Sequence, residues 1–103
     1  HSQVNIETKA SISEFYNYPN PVTNYTTFRY FLNSASSARL KIYTSSGFLI
    51  KDIDIDIVDE NQYNEINLDL SSYSPGVYIA NLTSHSNNEQ KDSKIIKVLV
   101  IDE

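Results

Sequence analysis

Ser74-Pro75-Gly76-Val77-Tyr78-Ile79-Ala80-Asn81-Leu82-Thr83-Ser84 is the stretch on which the fold turns. Pro75 has no backbone N–H to give to a ladder, and Gly76 tolerates backbone angles closed to other residues, so Ser71 to Pro75 make a corner. Beyond the corner the side chains alternate, with Tyr78, Ala80 and Leu82 on one face and Val77 and Ile79 on the other. That period of two is a β-strand, and apolar residues on both faces suit a central one.

Upstream the same period recurs. Ile66, Leu68 and Leu70 share a face after a polar turn at Asp59 to Asn61. Phe48 to Val58 contains the cleanest alternation, Ile53, Ile55 and Ile57 against Asp52, Asp54 and Asp56. Ala38, Leu40 and Ile42 oppose Arg39, Lys41 and Tyr43, one side for a core and one for water. Ser45-Ser46-Gly47 turns the chain there, with Gly47 the position suited to a positive φ. Tyr25 to Leu32 sets Phe28, Tyr30 and Leu32 opposite Thr27, Arg29 and Phe31, and a small-residue turn at Asn33 to Ser37 follows. Phe15 to Tyr18 is short and aromatic, and Pro19 and Pro21 stop it. Val4 to Ser13 is polar and weakly patterned, a linker or a loosely held first strand.

Downstream, Ser84 to Lys91 reads as a polar hairpin loop. Lys94 to Ile101 is a β-branched last strand, apolar on both sides, and is expected to be the most completely buried of all. The sum is about seven strands at regular intervals with turn chemistry between them, an all-β, two-sheet antiparallel sandwich. The expected division is a domain over residues 15–103, preceded by a linker or added segment at 1–14. His1-Ser2 reads as an added start, so the chain is expected to be a piece of a longer protein whose export signal lies upstream.

Composition narrows the function. The 103 residues suit one domain with one core. A net charge of -5 with only 8 Lys plus Arg, scattered along the chain, argues against nucleic acid, which needs a concentrated basic face. Zero Cys removes disulfides, thiolate nucleophiles and Cys-based zinc sites together. No apolar run reaches the ~18 residues of a membrane-spanning helix.

The candidate sites are few. Asp52-Ile53-Asp54-Ile55-Asp56 begins like a calcium loop, but the sixth position is Ile57 rather than Gly and the twelfth is Tyr63 rather than Glu. Read as a strand, the run gives a solvated, mildly self-repelling face. His85 lies in the polar Ser84-His85-Ser86-Asn87-Asn88 stretch with no Gly-x-Ser-x-Gly elbow anywhere, and no paired carboxylates mark a cleft, so no catalytic residue and no cofactor is expected. Phe15, Tyr16, Tyr18, Tyr25, Phe28, Tyr30 and Phe31 make a dense aromatic group. It suits either the core and rim of a sandwich or an exposed sugar-stacking patch. Asn24-Tyr25-Thr26 and Asn81-Leu82-Thr83 match the glycosylation acceptor pattern, which three-residue runs often do by chance.

An ordered set of phrases carries more. Tyr18-Pro19-Asn20-Pro21, then Phe28, then Leu40-Lys41-Ile42-Tyr43 running to Gly47, then Leu68-Asp69-Leu70 leading to Ser74-Pro75-Gly76-Val77-Tyr78, and finally Lys94-Ile95-Ile96-Lys97-Val98 follow one another. In that order they resemble the C-terminal sorting domain of type IX secretion (Por secretion) cargo, over about residues 15 to 101. A related immunoglobulin-like module of flagellar hook-capping proteins shares them. The resemblance implies an immunoglobulin-like β-sandwich that is not an enzyme but a secretion signal on a secreted or cell-surface protein of Bacteroidetes type. Its implied partners are the type IX translocon, an outer-membrane shuttle, a sortase and an upstream cargo domain, and its implied route runs through periplasm and outer membrane. Sortase cleavage would fall around Thr8 to Glu14. By position the resemblance nominates Tyr18, Pro19, Asn20, Pro21, Pro75, Gly76, Val77, Tyr78, Lys94, Ile95, Ile96, Lys97 and Val98 as the recognition motif. Its alternative is a retained structural or carbohydrate- or protein-binding module of a surface protein.

Overall fold

The alternating pattern closes into two sheets. The computed structural model describes residues 11–33, 35–55, 62–86 and 91–102. Its strands are β1 (Ser11–Tyr18), β2 (Tyr25–Asn33), β3 (Ser37–Thr44), β4 (Leu49–Ile55), β5 (Tyr63–Asp69), β6 (Gly76–His85) and β7 (Lys91–Val100). One sheet has the order β1-β2-β5 and the other β4-β3-β6-β7, and every ladder between named strands is antiparallel. This is an all-β, immunoglobulin-like sandwich.

The core follows the inward side of each pleat. Phe28, Leu32, Leu40, Ile42, Leu82 and Val98 are fully buried, contributed by β2, β3, β6 and β7. Thus Phe28, Tyr30 and Leu32 face inward together, as do Ala38, Leu40 and Ile42, and Tyr78, Ala80 and Leu82. Gly47 carries φ +98°, and the turn it forms is closed by Thr44 N–H donating to Phe48 O at 2.8 Å. A side chain at that φ would be strained by its own backbone.

Two strand expectations need correction. The first strand runs from Ser11 through Tyr18, joining the end of the weakly patterned Val4 to Ser13 stretch to the aromatic Phe15 to Tyr18, and Ile12 is buried in the core rather than loosely held. A bulge between Ile12 and Glu14 shifts the register, so the alternation that identifies a strand is broken where it was sought. The last strand begins at Lys91 rather than Lys94 and is not the most buried strand: it is a sheet edge, with Ile95 63% exposed. Val98 and Val100 face the core, whereas Ile95, Lys97 and Leu99 face out. A β-branched run tells how well a chain extends, not whether a second layer covers both of its faces. The expected strand at Asp56 to Val58, the turn at Asp59 to Asn61 and residues 87–90 of the hairpin loop fall outside the described residues.

One core group is unmatched. Ser84 Oγ is fully buried and meets no hydrogen-bond partner among the described residues. Removing a buried hydroxyl that makes no bond removes its desolvation cost, so Ser84→Ala is expected to raise stability by about 1 kcal/mol in urea unfolding. A loss of that size instead would show that the hydroxyl is bonded in solution.

Candidate recognition surface at the outer edge of the sandwich

After β1 the chain passes through Tyr18-Pro19-Asn20-Pro21, with both proline peptide bonds cis, and crosses from one sheet to the other. A buried polar knot holds the start of this crossing. Asn17 Nδ2 donates to Thr26 Oγ1 at 3.0 Å, and Thr26 Oγ1 donates to Pro19 O at 3.1 Å. Asn17 and Thr26 are both buried, and each hydrogen bond in such a setting satisfies a group that water cannot reach.

The far end of the crossing is stitched to β7. Asn20 Nδ2 donates to Lys97 O at 3.1 Å, while Leu99 N–H donates to Asn20 Oδ1 at 3.0 Å. One amide side chain therefore pairs with the edge as a strand backbone would. Val22 continues the job: its N–H donates to Leu99 O at 2.7 Å, and Ile101 N–H donates to Val22 O at 2.8 Å. Val22 is wholly buried and lies in parallel bridge with Val100.

This stitching brings three distant phrases to one place. Asn20, Pro21, Val77, Lys97 and Leu99 line a shallow cleft of about 350 Å³ on the outer side of β6 and β7. Its floor is apolar because Val77 pairs with Leu99 across the ladder, both partly exposed. Pro21 walls one side, and Lys97 supplies a single positive charge.

The other nominated residues divide. Gly76 (φ +155°) starts β6 beside the exposed Pro75. Tyr78 is buried, and its hydroxyl donates to Ser74 O at 2.6 Å, locking the corner from within. Val98 is buried and Ile96 half-buried against the core, so Tyr78, Val98 and Ile96 hold the fold rather than face a partner. Lys94 and Ile95 are exposed farther along β7. Tyr18 belongs to the opposite sheet, where its hydroxyl donates to Glu65 at 3.1 Å. That bond to a carboxylate raises the Tyr18 phenol above its ordinary 10.0. Sequence reasoning missed Leu99 and Val22. Neither stands out within its own apolar or polar stretch, and only the crossing makes them neighbours.

The aspartate run is tied down instead of self-repelling. Arg39 donates from Nε to Asp52 Oδ1 at 2.6 Å and from Nη2 to Asp52 Oδ2 at 2.9 Å, and its Nη1 lies 3.4 Å from Asp54 Oδ1. Asp56 lies outside the described residues. Among the described residues no three His, Asp or Glu side chains gather as a metal site requires. The Arg39 hydrogen bond holds the Asp52 carboxyl below its ordinary 3.8. A depressed carboxyl favours the folded state above its unfolded pKa and loses that contribution as pH falls through the folded value. The pair is exposed, so the effect on stability is small. A carbon-detected NMR titration should place the Asp52 midpoint below 3.8, and Arg39→Ala should raise it. An unchanged midpoint in the variant would remove the guanidinium as the cause.

The fold and this edge define a class of immunoglobulin-like sandwich whose connecting segment seals its last strand. Comparison with known proteins narrows the class. The family profile of the secretion system C-terminal sorting domain matches residues 16–98, and the chain belongs to that family. Among solved structures, dimeric latent PorU from Porphyromonas gingivalis is similar with TM-score 0.78 and 22% identity, over 97% of this chain and 10% of that one. The chain thus spans about a tenth of that protein's length. The CARDB domain of the PF1109 protein from Pyrococcus furiosus, solved in complex with di-metal ions, is similar with TM-score 0.54 and 15% identity, over 97% of this chain and 95% of that one. At these identities the likeness is one of fold. No curated protein sequence matches the chain. The family is that of type IX secretion, which implies export to the cell surface or beyond. Among the described residues no helix is long and apolar enough to cross a membrane.

Proposed function

We propose that this domain is the delivery handle of a larger exported protein, read by the type IX machinery at the cleft between the proline crossing and the β6–β7 ladder. The observation that supports it is convergence. Asn20 and Pro21, Val77, and Lys97 come from three phrases separated by tens of residues, yet they line one surface. A core alone would not require Val77, Lys97 and Leu99 to stay partly exposed beside a rigid wall. The domain acts here as ligand and substrate, not as catalyst, and needs no cofactor.

In this reading the translocon and its outer-membrane shuttle grip the cleft, and a sortase cuts upstream. Ser11 to Glu14 lie within the paired strand β1 and Ile12 is in the core, which supports a cut ahead of Ser11, in the first part of the Thr8 to Glu14 interval.

The test is a fluorescent reporter fused to residues 1–103 behind an export signal, in a bacterium carrying the type IX machinery and in a strain lacking the translocon. Translocon-dependent surface display, with the reporter's new C-terminus found by mass spectrometry before Ser11, is the expected result. Display with the domain intact would make it a retained variant. Reporter held in the periplasm of both strains would leave a structural or sugar-binding module as the better reading.

A further inference from the structure

The outer face of the β1-β2-β5 sheet plays no part in the delivery role, and it is where the dense aromatic group of the sequence divides. Phe15, Phe28 and Tyr30 turn inward and are buried. Tyr16 and Tyr18 turn outward beside Tyr63 of β5, and these three side chains are 38%, 44% and 40% exposed.

Bonds that span the sheet hold these rings in place. β2 is the middle strand, so opposed residues of β1 and β5 stand about 10 Å apart at the backbone. Two tyrosines bridge that gap in opposite directions. Tyr18 of β1 donates its hydroxyl to Glu65 Oε2 on β5 at 3.1 Å. Tyr63 of β5 passes Phe31 and donates to Glu14 Oε2 on β1 at 2.6 Å. Both side chains therefore lie along the sheet rather than stand off it. Tyr16 packs beside Tyr18, with ring centres 6.1 Å apart and planes 33° from parallel. Arg29 lies opposite both Tyr16 and Glu65, and its guanidinium carbon sits 4.1 Å from the centre of the Tyr63 ring.

Charge selects what such a face can hold. Glu14 and Glu65 each accept from a tyrosine and keep further lone pairs, while Arg29 lies near the middle, 3.9 Å from Glu65. An acidic surface is repelled by the two carboxylates, and a basic segment by Arg29. A second copy would bring the same carboxylates against their own kind. A neutral polyol escapes all three penalties. Its hydroxyls donate to the carboxylates, and its C–H faces rest on the exposed rings. Tyrosine offers wide contact at little entropic cost, and less still when its hydroxyl is already anchored.

We infer that the outer face of the β1-β2-β5 sheet binds a neutral saccharide chain across Tyr16, Tyr18 and Tyr63, with Glu14 and Glu65 accepting from its hydroxyls. This is a second function, carried by the sheet opposite the cleft, and it does not depend on the delivery role.

The test titrates the whole 103-residue chain with laminarihexaose, maltohexaose and mannohexaose, three neutral probes, and follows it by ¹⁵N NMR. The expected result is a saturable shift at Tyr16, Tyr18, Arg29 and Glu65 with at least one probe. Val77 and Leu99 should not move, and raising the salt should not weaken binding. Replacing Tyr16→Ala and Tyr18→Ala together removes two exposed rings and should weaken binding about tenfold. Tyr18→Phe keeps the ring but frees it from Glu65, so it should weaken binding about threefold with the unfolding curve nearly unchanged. That variant decides if the double variant fails to fold. No shift with all three probes, or unchanged binding in either folded variant, would overturn the inference. So would tighter binding of an arginine-serine peptide at the same amides, or dimerisation through this face in sedimentation. Binding is read on the purified chain, so a reporter held in the periplasm defeats the delivery role and leaves the saccharide face standing.

Discussion

Phe28→Ala is expected to cost about 3–5 kcal/mol of folding stability, the range for removing a buried aromatic ring. Phe28 is fully buried in the middle of β2, opposite Asn17 of β1 and Ile66 of β5, and its ring stacks on Phe15 at 6.1 Å between centroids. Its loss empties space that three strands share, and paired backbones cannot collapse to fill it. Domains of this size have only about 5–15 kcal/mol in hand, so a large share of the native population is at stake. Phe31 lies on the other face of the same strand, half-buried and nearly perpendicular to the Tyr63 ring at 5.1 Å between centroids. Phe31→Ala should therefore cost clearly less. Urea unfolding of the two variants decides the matter, and equal losses would contradict the assignment of faces.

Val22→Asp should be nearly as damaging, by about 3–5 kcal/mol, because it places an uncompensated charge where no water reaches. Val22 is the point at which the crossing segment becomes a short parallel neighbour of β7, between Leu99 O and Ile101 N. Val22→Asp should also raise hydrogen exchange at Leu99 and Ile101 above that at Val98, since only the former two bond to the crossing. A variant with wild-type stability would mean that the crossing does not dock on β7, and the cleft would then lose its wall.

Much of this was legible in the residues alone. The alternation of Phe28, Tyr30 and Leu32, and of Ala38, Leu40 and Ile42, gives the inward faces directly, because one inward side chain in two is all that a half-buried strand needs. Gly47 announced its turn in the same way. Position within the sheet was not legible. Ile95, Ile96, Val98, Leu99 and Val100 read as a strand buried on both faces, and only the order β4-β3-β6-β7 makes it an edge. The start of β1 was not legible either, because its bulge conceals Ile12 from any strict period. Of the nominated motif residues, Tyr78 and Val98 turned out to serve the corner and the core, while Asn20, Pro21, Val77 and Lys97 line the cleft. Local pattern cannot separate those groups, since hydrogen bonds spanning 77 and 79 residues decide which is which.

The central claim is that the machinery reads this cleft, and the double variant Val77→Glu, Leu99→Glu tests it most directly. Both side chains are partly exposed, 42% and 39%, so the fold should survive with a nearly unchanged unfolding curve. In the reporter strain this folded variant is expected to stay in the periplasm while the wild-type domain carries its reporter to the surface. A folded variant delivered as well as wild type would show that the cleft is not what is read.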